Sequence, residues 1–327
     1  MNGRGPLLQV ESLHVWFDLA GGRELHAVQG IDFDLGPGER MGLVGESGCG
    51  KTTAILAIMG LLPPSASAAG HVRLDGMDMY EAGEDSVRPH RWRDIAMVFQ
   101  GAMNAFNPVR RVVDQIVEPM ELHGIAEGRA ARVRAGDLLE LVGISARQAS
   151  RYPHEFSGGM RQRAAIAMAL ACGPKVLLAD EPTTALDVMI QAQVLELLTG
   201  LTRDLGLALI LVTHDLPIVA QTCDRAAVMY AGKIVESGPT EDLFHTPRHP
   251  YTRLLFSATP DLYGRGEVVS IPGTPPRLDR EVTGCAFAPR CDMTFEPCSS
   301  VVPRTLPVAP GHDARCHLND PTMRSAS

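Results

Sequence analysis

The sequence predicts an α/β fold: a parallel sheet covered on both faces, a small antiparallel β subdomain before it, a helical insertion within it and a Cys- and Pro-rich C-terminal extension after it. Three observations carry that prediction. Four short apolar runs, "RMGLVG", "DIAMVFQ", "KVLLAD" and "LALILVTH", are separated by helix-length stretches at residues 51–62, 159–171 and 188–205. The runs are continuous rather than alternating, as strands buried on both faces require. A glycine-rich turn, "GESGCGKTT" at residues 45–53, joins the first run to the first helix.

At 327 residues the chain is about twice a typical domain length, which predicts two structural units or one large domain with an attachment. Hydrophobic residues at 45% and charged residues at 21% place it among ordinary globular proteins. A formal charge of -8 and a pI near 5.8 repel a polyphosphate backbone and disfavour nucleic acid as a sequence-independent ligand. The longest apolar run, residues 164–172, falls well short of the ~18 residues that suggest a membrane span. The opening "MNGRGPLLQVESLHVWF" lacks the apolar block and small-residue cleavage site of a secretory signal, which predicts a cytosolic chain with reduced thiols.

Taken in order, "LQVESLHVWF" and "LHAVQGIDFDLGPGE" read as strands joined by Gly- and Pro-rich turns, the antiparallel sheet at the front. Gly45, Glu46, Ser47, Gly48, Cys49, Gly50, Lys51, Thr52 and Thr53 then match the phosphate-binding P-loop pattern, with a strand before and a helix after. The glycines let successive backbone N–H groups turn toward phosphates, and the helix N-terminus adds positive potential. Lys51 reaches the outer phosphates, and the Thr52 hydroxyl is suited to Mg²⁺. Gln100 closes the next strand run. From residue 107 to about 152 the pattern turns helical with no strand-like run. In "FSGGMRQR", Ser157 is a good N-cap, and Gly158 and Gly159 let an anion approach the first-turn N–H groups, which suits a second phosphate cradle; a plain capped helix is the alternative.

"VLLADEP" places Asp180 and Glu181 at the C-terminal tip of a buried strand, where ligands of parallel sheets gather. Asp180 is suited to hold Mg²⁺ through water, and Glu181 to orient or deprotonate the water that attacks a γ-phosphate. His214, after "ALILVT", is suited to sense or stabilise a terminal phosphate. Each group alone is compatible with a solvated loop or a structural strand end; four strand ends bearing phosphate-competent groups make a shared site the simpler account.

Beyond Gly238 the composition shifts, with nine prolines between Pro272 and Pro321 and four of the seven cysteines between Cys285 and Cys316. The spacing is Cys285-x₅-Cys291-x₆-Cys298-x₁₇-Cys316. Four thiolates in a reduced compartment favour a metal. The gaps exceed the two to four residues usual within structural zinc pairs, whereas Cys₄ ligation of an iron–sulfur cluster tolerates varied spacing. Unligated or oxidised cysteines are the remaining alternative.

The ordered set of P-loop, Gln100, "SGGMRQR", "LLADEPTTALD" and "THD" closely resembles the ATP-binding subunits of ABC transporters from about residue 8 to residue 238. The resemblance implies a P-loop NTPase core that binds ATP and Mg²⁺ and hydrolyses ATP to ADP and phosphate. Two such domains would face each other head to tail, with Ser157, Gly158, Gly159 and Gln162 of one pressed on the nucleotide held by the P-loop of the other. Catalytic roles fall on Glu181, His214 and Lys51, and Mg²⁺ on Thr52, Gln100 and Asp180. Phe17 would stack on adenine with Val28 nearby; a core aromatic in an edge strand is the plain alternative. Gln100 would also border a groove, formed with the helical insertion at about 101–160, where a transmembrane subunit docks. Asp187 corresponds to a loop crossing the dimer interface. Cys49 stands where serine is common in relatives, which predicts a working loop open to thiol reagents.

The tail, "RHPYTRLLFSATP", "IPGTPP" and "GCAFAPRCDMTFEPC", resembles the C-terminal extension of oligopeptide and dipeptide importer ATPases. That divides the chain into an ATPase domain, 1–238, and an extension, 239–327. It implies ATP-driven peptide import with a second, related ATPase subunit, two transmembrane permease subunits and an extracytoplasmic solute-binding protein, at the cytoplasmic face of the membrane. It also implies a [4Fe–4S] cluster on Cys285, Cys291, Cys298 and Cys316, with zinc the lesser choice. Import of nickel or another solute is one alternative. A soluble ABC-type switch is the other, and it would call for paired ATPase domains, a long coiled coil or a basic surface, none of which the sequence offers.

Overall fold

The computed structural model describes residues 5–81, 83–101, 105–184, 186–257, 271–280 and 282–324. They fall into two compact units, each assembled from several stretches: residues 1–8, 35–40 and 74–212 in the first, and 9–34, 41–73 and 213–327 in the second.

The chain enters the second unit through β1 (Leu8–Leu19) and β2 (Arg23–Leu35). On β1, Leu8 and Val10 and then Leu13 and Val15 are buried in alternation with their neighbours, the phase shifting by one residue at Ser12, where φ is 46°. β3 (Arg40–Val44), buried from Met41 to Val44, delivers the chain to α1 (Lys51–Ile58). β4 (Ala66–Leu74) then lies beside β1, in the strand order β2-β1-β4.

The first unit contains β5 (Met77–Asp78), α2 (Glu84–Val87) and β6 (Ile95–Val98). The helical insertion follows as α3 (Val112–Leu122), α4 (Gly128–Leu141) and α5 (Gly158–Ala169). The buried Gln115 side chain accepts from the Asn107 N–H at 2.7 Å and donates to the Asn107 and Arg110 carbonyls, which closes the loop that leads into α3. β7 (Val176–Asp180), α6 (Val188–Leu205) and β8 (Ala208–Thr213) complete a parallel βαβ unit, with Val176 in register with both Ile95 and Ala208. Every residue of β6, β7 and β8 is buried, so the continuous apolar runs are strands covered on both faces. Gly206 ends α6 in the left-handed conformation, the usual glycine C-cap.

The second unit resumes with α7 (Leu216–Thr222), β9 (Arg225–Tyr230) and β10 (Lys233–Pro239). β9 lies parallel to β3, pairing Met41 with Arg225, and adds a parallel strand that the run analysis misses. β9 and β10 form a hairpin on Ala231 and Gly232, with φ of 49° and 79°, the two positive angles a type I′ turn demands. α8 (Thr240–His245) and α9 (Pro250–Ser257) follow; β11 (Leu306–Ala309), β12 (His312–Ala314) and α10 (Pro321–Arg324) lie near the end.

Residues after Gly238 therefore share a unit with the P-loop strand, and β12 pairs antiparallel with β10, Glu236 opposite Ala314. Glu236, 1% exposed, is the polar centre of that junction. Its carboxylate accepts from the N–H groups of Arg248 at 2.6 Å and His249 at 2.9 Å, and pairs with His312 Nε2 at 2.8 Å. No helix among the described residues is long and apolar enough to cross a membrane.

Candidate nucleotide-binding and catalytic site

After Val44 the chain turns through residues 45–50 into α1, and the turn is glycine at both hinges for a steric reason. A Cβ on Gly45, at φ 150°, would lie 2.2 Å from the Met229 carbonyl oxygen; on Gly50, at φ 108°, it would lie 2.5 Å from that of Ala27. Gly50 gives α1 no side-chain cap, the arrangement an anion-binding helix N-terminus requires. Ser47, Gly48 and Thr52 are exposed, while Glu46 and Thr53 are half-buried. Lys51 is buried, and its ammonium folds back to donate to the Gly45 carbonyl at 2.6 Å and the Glu46 carbonyl at 2.9 Å, with the Cys49 sulfur at 3.7 Å. Cys49 is itself buried, and burial pushes its thiol pKa up against the opposing pull of Lys51. That corrects the expected thiol sensitivity: the reactive thiolate is disfavoured and shielded.

In the first unit, Asp180 is the last residue of β7 and 1% exposed. Glu181 follows at φ 43°, a left-handed conformation that costs a non-glycine residue roughly 1–2 kcal/mol and that proteins tolerate chiefly at functional positions. Its N–H donates to the Val212 carbonyl at 2.8 Å. Its carboxylate accepts from Gln100 Nε2 at 2.8 Å and from the Thr184 hydroxyl at 2.9 Å. The ends of β6 and β7 thus bring Gln100 and Glu181 together, and two donors fix the carboxylate as a general base needs to be fixed. Sequence reasoning missed Thr184, although it lies in the same "EPTT" stretch.

Ser157 caps α5, its exposed hydroxyl accepting from the Met160 N–H at 3.3 Å. Gly158 is half-buried beside it. Gly159 also serves packing: a Cβ there would meet Ile190 Cγ2 at 2.6 Å, so its missing side chain makes room for α6. Gln162 is also buried, and its Nε2 has no hydrogen-bond partner among the described residues. Asp187 is exposed and caps α6, accepting from the Ile190 N–H at 3.0 Å, so Ile190 meets both α5 and Asp187.

In the second unit, His214 is exposed just before Asp215, the N-cap of α7. Phe17 is half-buried and Val28 fully buried. Strand alternation puts Trp16 on the face opposite Phe17, where its ring stacks on His26 at 4.7 Å and on His14 at 5.3 Å. Trp16, His26, Lys233, Cys285 and Phe287 line a cavity of about 520 Å³. Burial, then His14 and Lys233, hold the His26 pKa below its usual value.

None of the seven cysteines is in a disulfide among the described residues. Burial raises the pKa of Cys285, Cys291 and Cys316, the last to about 12, and other cysteines of the set of four push each of them further up, so the four lie within electrostatic reach of one another. Among the described residues, however, no group of three or more His, Cys, Asp or Glu side chains is arranged to hold a metal ion, so the geometry gives the expected cluster or zinc no direct support.

Comparison with known proteins places this geometry in a family. Residues 28–184 match the ABC transporter family and residues 235–298 match the oligopeptide/dipeptide transporter C-terminal region. The dipeptide transport ATP-binding protein DppD of Bacillus subtilis (strain 168) is 46% identical over 319 residues, 96% of this chain and 95% of that protein. The chain belongs to the ATP-binding proteins of ABC transporters. The oligopeptide transport ATP-binding protein OppD of Mycobacterium tuberculosis (strain ATCC 25618 / H37Rv) is 45% identical over 95% of this chain and 52% of its own length. Among solved structures, a dimeric ATP-binding cassette in a post-hydrolysis state with ADP and Pi superposes with a TM-score of 0.64 at 27% identity, covering 71% of this chain and 98% of that one. The cbiO1 protein of Clostridium perfringens, part of an ABC transporter complex, gives 0.62 at 29% identity over 74% and 91%. Within this ABC ATP-binding protein the P-loop, Gln100, Ser157, Asp180, Glu181 and Thr184 all fall in the first family match, and the first three cysteines of the set in the second.

Proposed function

We propose that this ABC ATP-binding protein is the ATP-hydrolysing subunit of a peptide importer. The observation that carries the reading is Glu181: a carboxylate held in a strained backbone by Gln100 and Thr184, in a chain with a complete P-loop. The near full-length likeness to a dipeptide transport ATP-binding protein supports peptides as the cargo class.

In this reading Gly45–Thr53 binds the phosphates of ATP, and Thr52, Gln100 and Asp180 hold Mg²⁺. Lys51 leaves the carbonyls of Gly45 and Glu46 for phosphate oxygens, exchanging neutral acceptors for charged ones. Glu181 orients and deprotonates the attacking water, His214 contacts the terminal phosphate, and Phe17 and Val28 form the adenine side. The rest of catalysis is electrostatic positioning. Ser157, Gly158, Gly159 and Gln162 act on the nucleotide of a facing, related ATPase subunit, with Asp187 at the junction. Ser157 is exposed and available for that role, and Gly159 in addition lets α5 pack on α6. Residues 1–238 form the functional ATPase part and 239–327 the extension. Two permease subunits, served by an extracytoplasmic solute-binding protein, hold the subunit at the cytoplasmic face of the membrane, and the exposed Phe99, next to Gln100 in sequence, suits such docking.

The finer reading of Cys285, Cys291, Cys298 and Cys316 is a [4Fe–4S] cluster, supported by four free thiols in mutual electrostatic reach. Bound iron would lower the thiol pKa values that burial raises and would fasten a Pro-rich tail. Iron and sulfide analysis of anaerobically purified protein tests it, and a stoichiometry far below four irons per chain rejects it.

Replacing Glu181 with Gln tests the main reading. ATP binding should persist while hydrolysis falls by about 10²–10⁴. Unchanged hydrolysis would remove Glu181 from its role.

A further inference from the structure

Glu46, the second residue of the phosphate loop, is tied down at three points, and two of the ties come from beyond residue 238. Its carboxylate receives both terminal nitrogens of Arg290, at 2.7 and 2.9 Å, a bidentate pair. Its N–H donates to the Tyr251 hydroxyl oxygen at 2.9 Å. Its carbonyl accepts from Lys51 at 2.9 Å. Arg290 is 7% exposed and fixed in turn: Nε donates to the Pro272 carbonyl at 2.8 Å, Nη1 to the Tyr230 hydroxyl at 3.2 Å, and the guanidinium lies 5.8 Å from the Tyr230 ring centre and 5.9 Å from that of Phe287. It sits on the short turn Ala288–Arg290, closed by hydrogen bonds from the Ala288 N–H to the Cys285 carbonyl and from the Cys291 N–H to the Ala288 carbonyl.

We infer that Arg290 is a positioning residue for the phosphate loop: from the C-terminal extension it holds Glu46, and through Glu46 it fixes the carbonyl on which Lys51 rests before ATP arrives. Pre-setting that peptide unit removes an ordering cost from nucleotide binding, so the pair acts on ATP affinity more than on the chemical step. The inference rests on the ATPase reading above. A plain docking contact would instead join the extension to the loop without altering how the loop receives ATP.

The experiment uses the full-length chain assembled with its membrane partners and compares Arg290→Met, Arg290→Lys, Glu46→Gln and the Arg290→Met/Glu46→Gln pair. The KM for ATP should rise roughly tenfold in Arg290→Met and in Glu46→Gln, with kcat changed by less than about threefold. The double variant should be no worse than either single, since both remove one interaction. Arg290→Lys should restore only part of the loss, because an ammonium lacks the planar fork. Amide protection at Arg248 and His249 reports whether the extension stays docked, and Glu46→Gln should leave it unchanged. A KM within about twofold of wild type in Glu46→Gln overturns the inference. So does an additive rise in the double variant, or a KM change that appears only with lost protection at Arg248 and His249. If Arg290→Met fails to assemble, Glu46→Gln decides alone. Failure of the ATPase reading would show separately, as hydrolysis that survives Glu181→Gln.

Discussion

Removing the Glu236 carboxylate should detach the extension at its root. The residue is 1% exposed, and its oxygens serve three donors: the Arg248 N–H, the His249 N–H and the His312 ring. Truncation to Ala strands all three, and each buried unpaired donor costs roughly 1–3 kcal/mol, with a cavity term added. Because the donors share one partner their losses do not simply add, and about 4 kcal/mol is expected. Glu236→Gln keeps the shape but turns one oxygen into an NH₂, which faces a donor whichever way the amide points; about 2 kcal/mol follows. Urea unfolding gives the size of the effect, and amide exchange gives its place, through loss of protection at Arg248 and His249. A Glu236→Ala protein within about 1 kcal/mol of wild type, with those two amides still protected, would refute the reasoning that this carboxylate anchors the extension.

Other outcomes follow from the same contacts. Gly159→Ala drives a Cβ into Ile190 and should lower stability by about 1–3 kcal/mol, with Ile190→Ala in the same chain recovering part of the loss in thermal melts. His249 is buried, its Nδ1 accepts from the Tyr251 N–H at 3.0 Å, and burial lowers its pKa from 6.5 to about 3. Below pH 6.5 the unfolded chain takes up a proton that the folded chain refuses. Stability present above pH 6.5 should therefore fall by about 1.4 kcal/mol per pH unit toward pH 3, and His249→Asn should flatten that slope. Cys49 should be alkylated far more slowly in the native chain than in urea, as peptide mass spectrometry reads; equal rates would contradict its burial and raised pKa.

What could be read from the sequence was local. A buried parallel strand announces itself by a continuous apolar run, and a phosphate loop by glycines at fixed spacing, because the determinants lie within a few residues of one another. β6, β7, β8 and residues 45–53 were legible for that reason. The β9–β10 hairpin was not, since its turn is Ala231-Gly232 rather than the Asn-Gly or Asp-Gly that signals such a turn. The packing of Gly159 on α6 was not legible either, because a glycine at a helix start serves a ligand or a packed helix equally well and Ile190 lies 31 residues away. The partner of Glu46 was out of reach for a different reason. Arg290 lies 244 residues away, and nothing near either residue specifies the pairing.

The Glu46 peptide unit also shows why a loop of this composition benefits from an external hold. In the proposed reading Lys51 lets go of two carbonyls when phosphate binds, and a glycine-rich loop has little of its own to stop the backbone following the lysine. The Gly45 side of the loop is confined by packing, with the Met229 carbonyl close above it. The Glu46 side is confined by polar bonds through its N–H and its carboxylate. Burying the Arg290 guanidinium for that purpose carries a desolvation cost, which its bonds to Glu46, Pro272 and Tyr230 offset while all of them are made. Losing the Glu46 carboxylate would leave that charge buried without its counter-ion, so the penalty for a broken pair exceeds the benefit of the intact one.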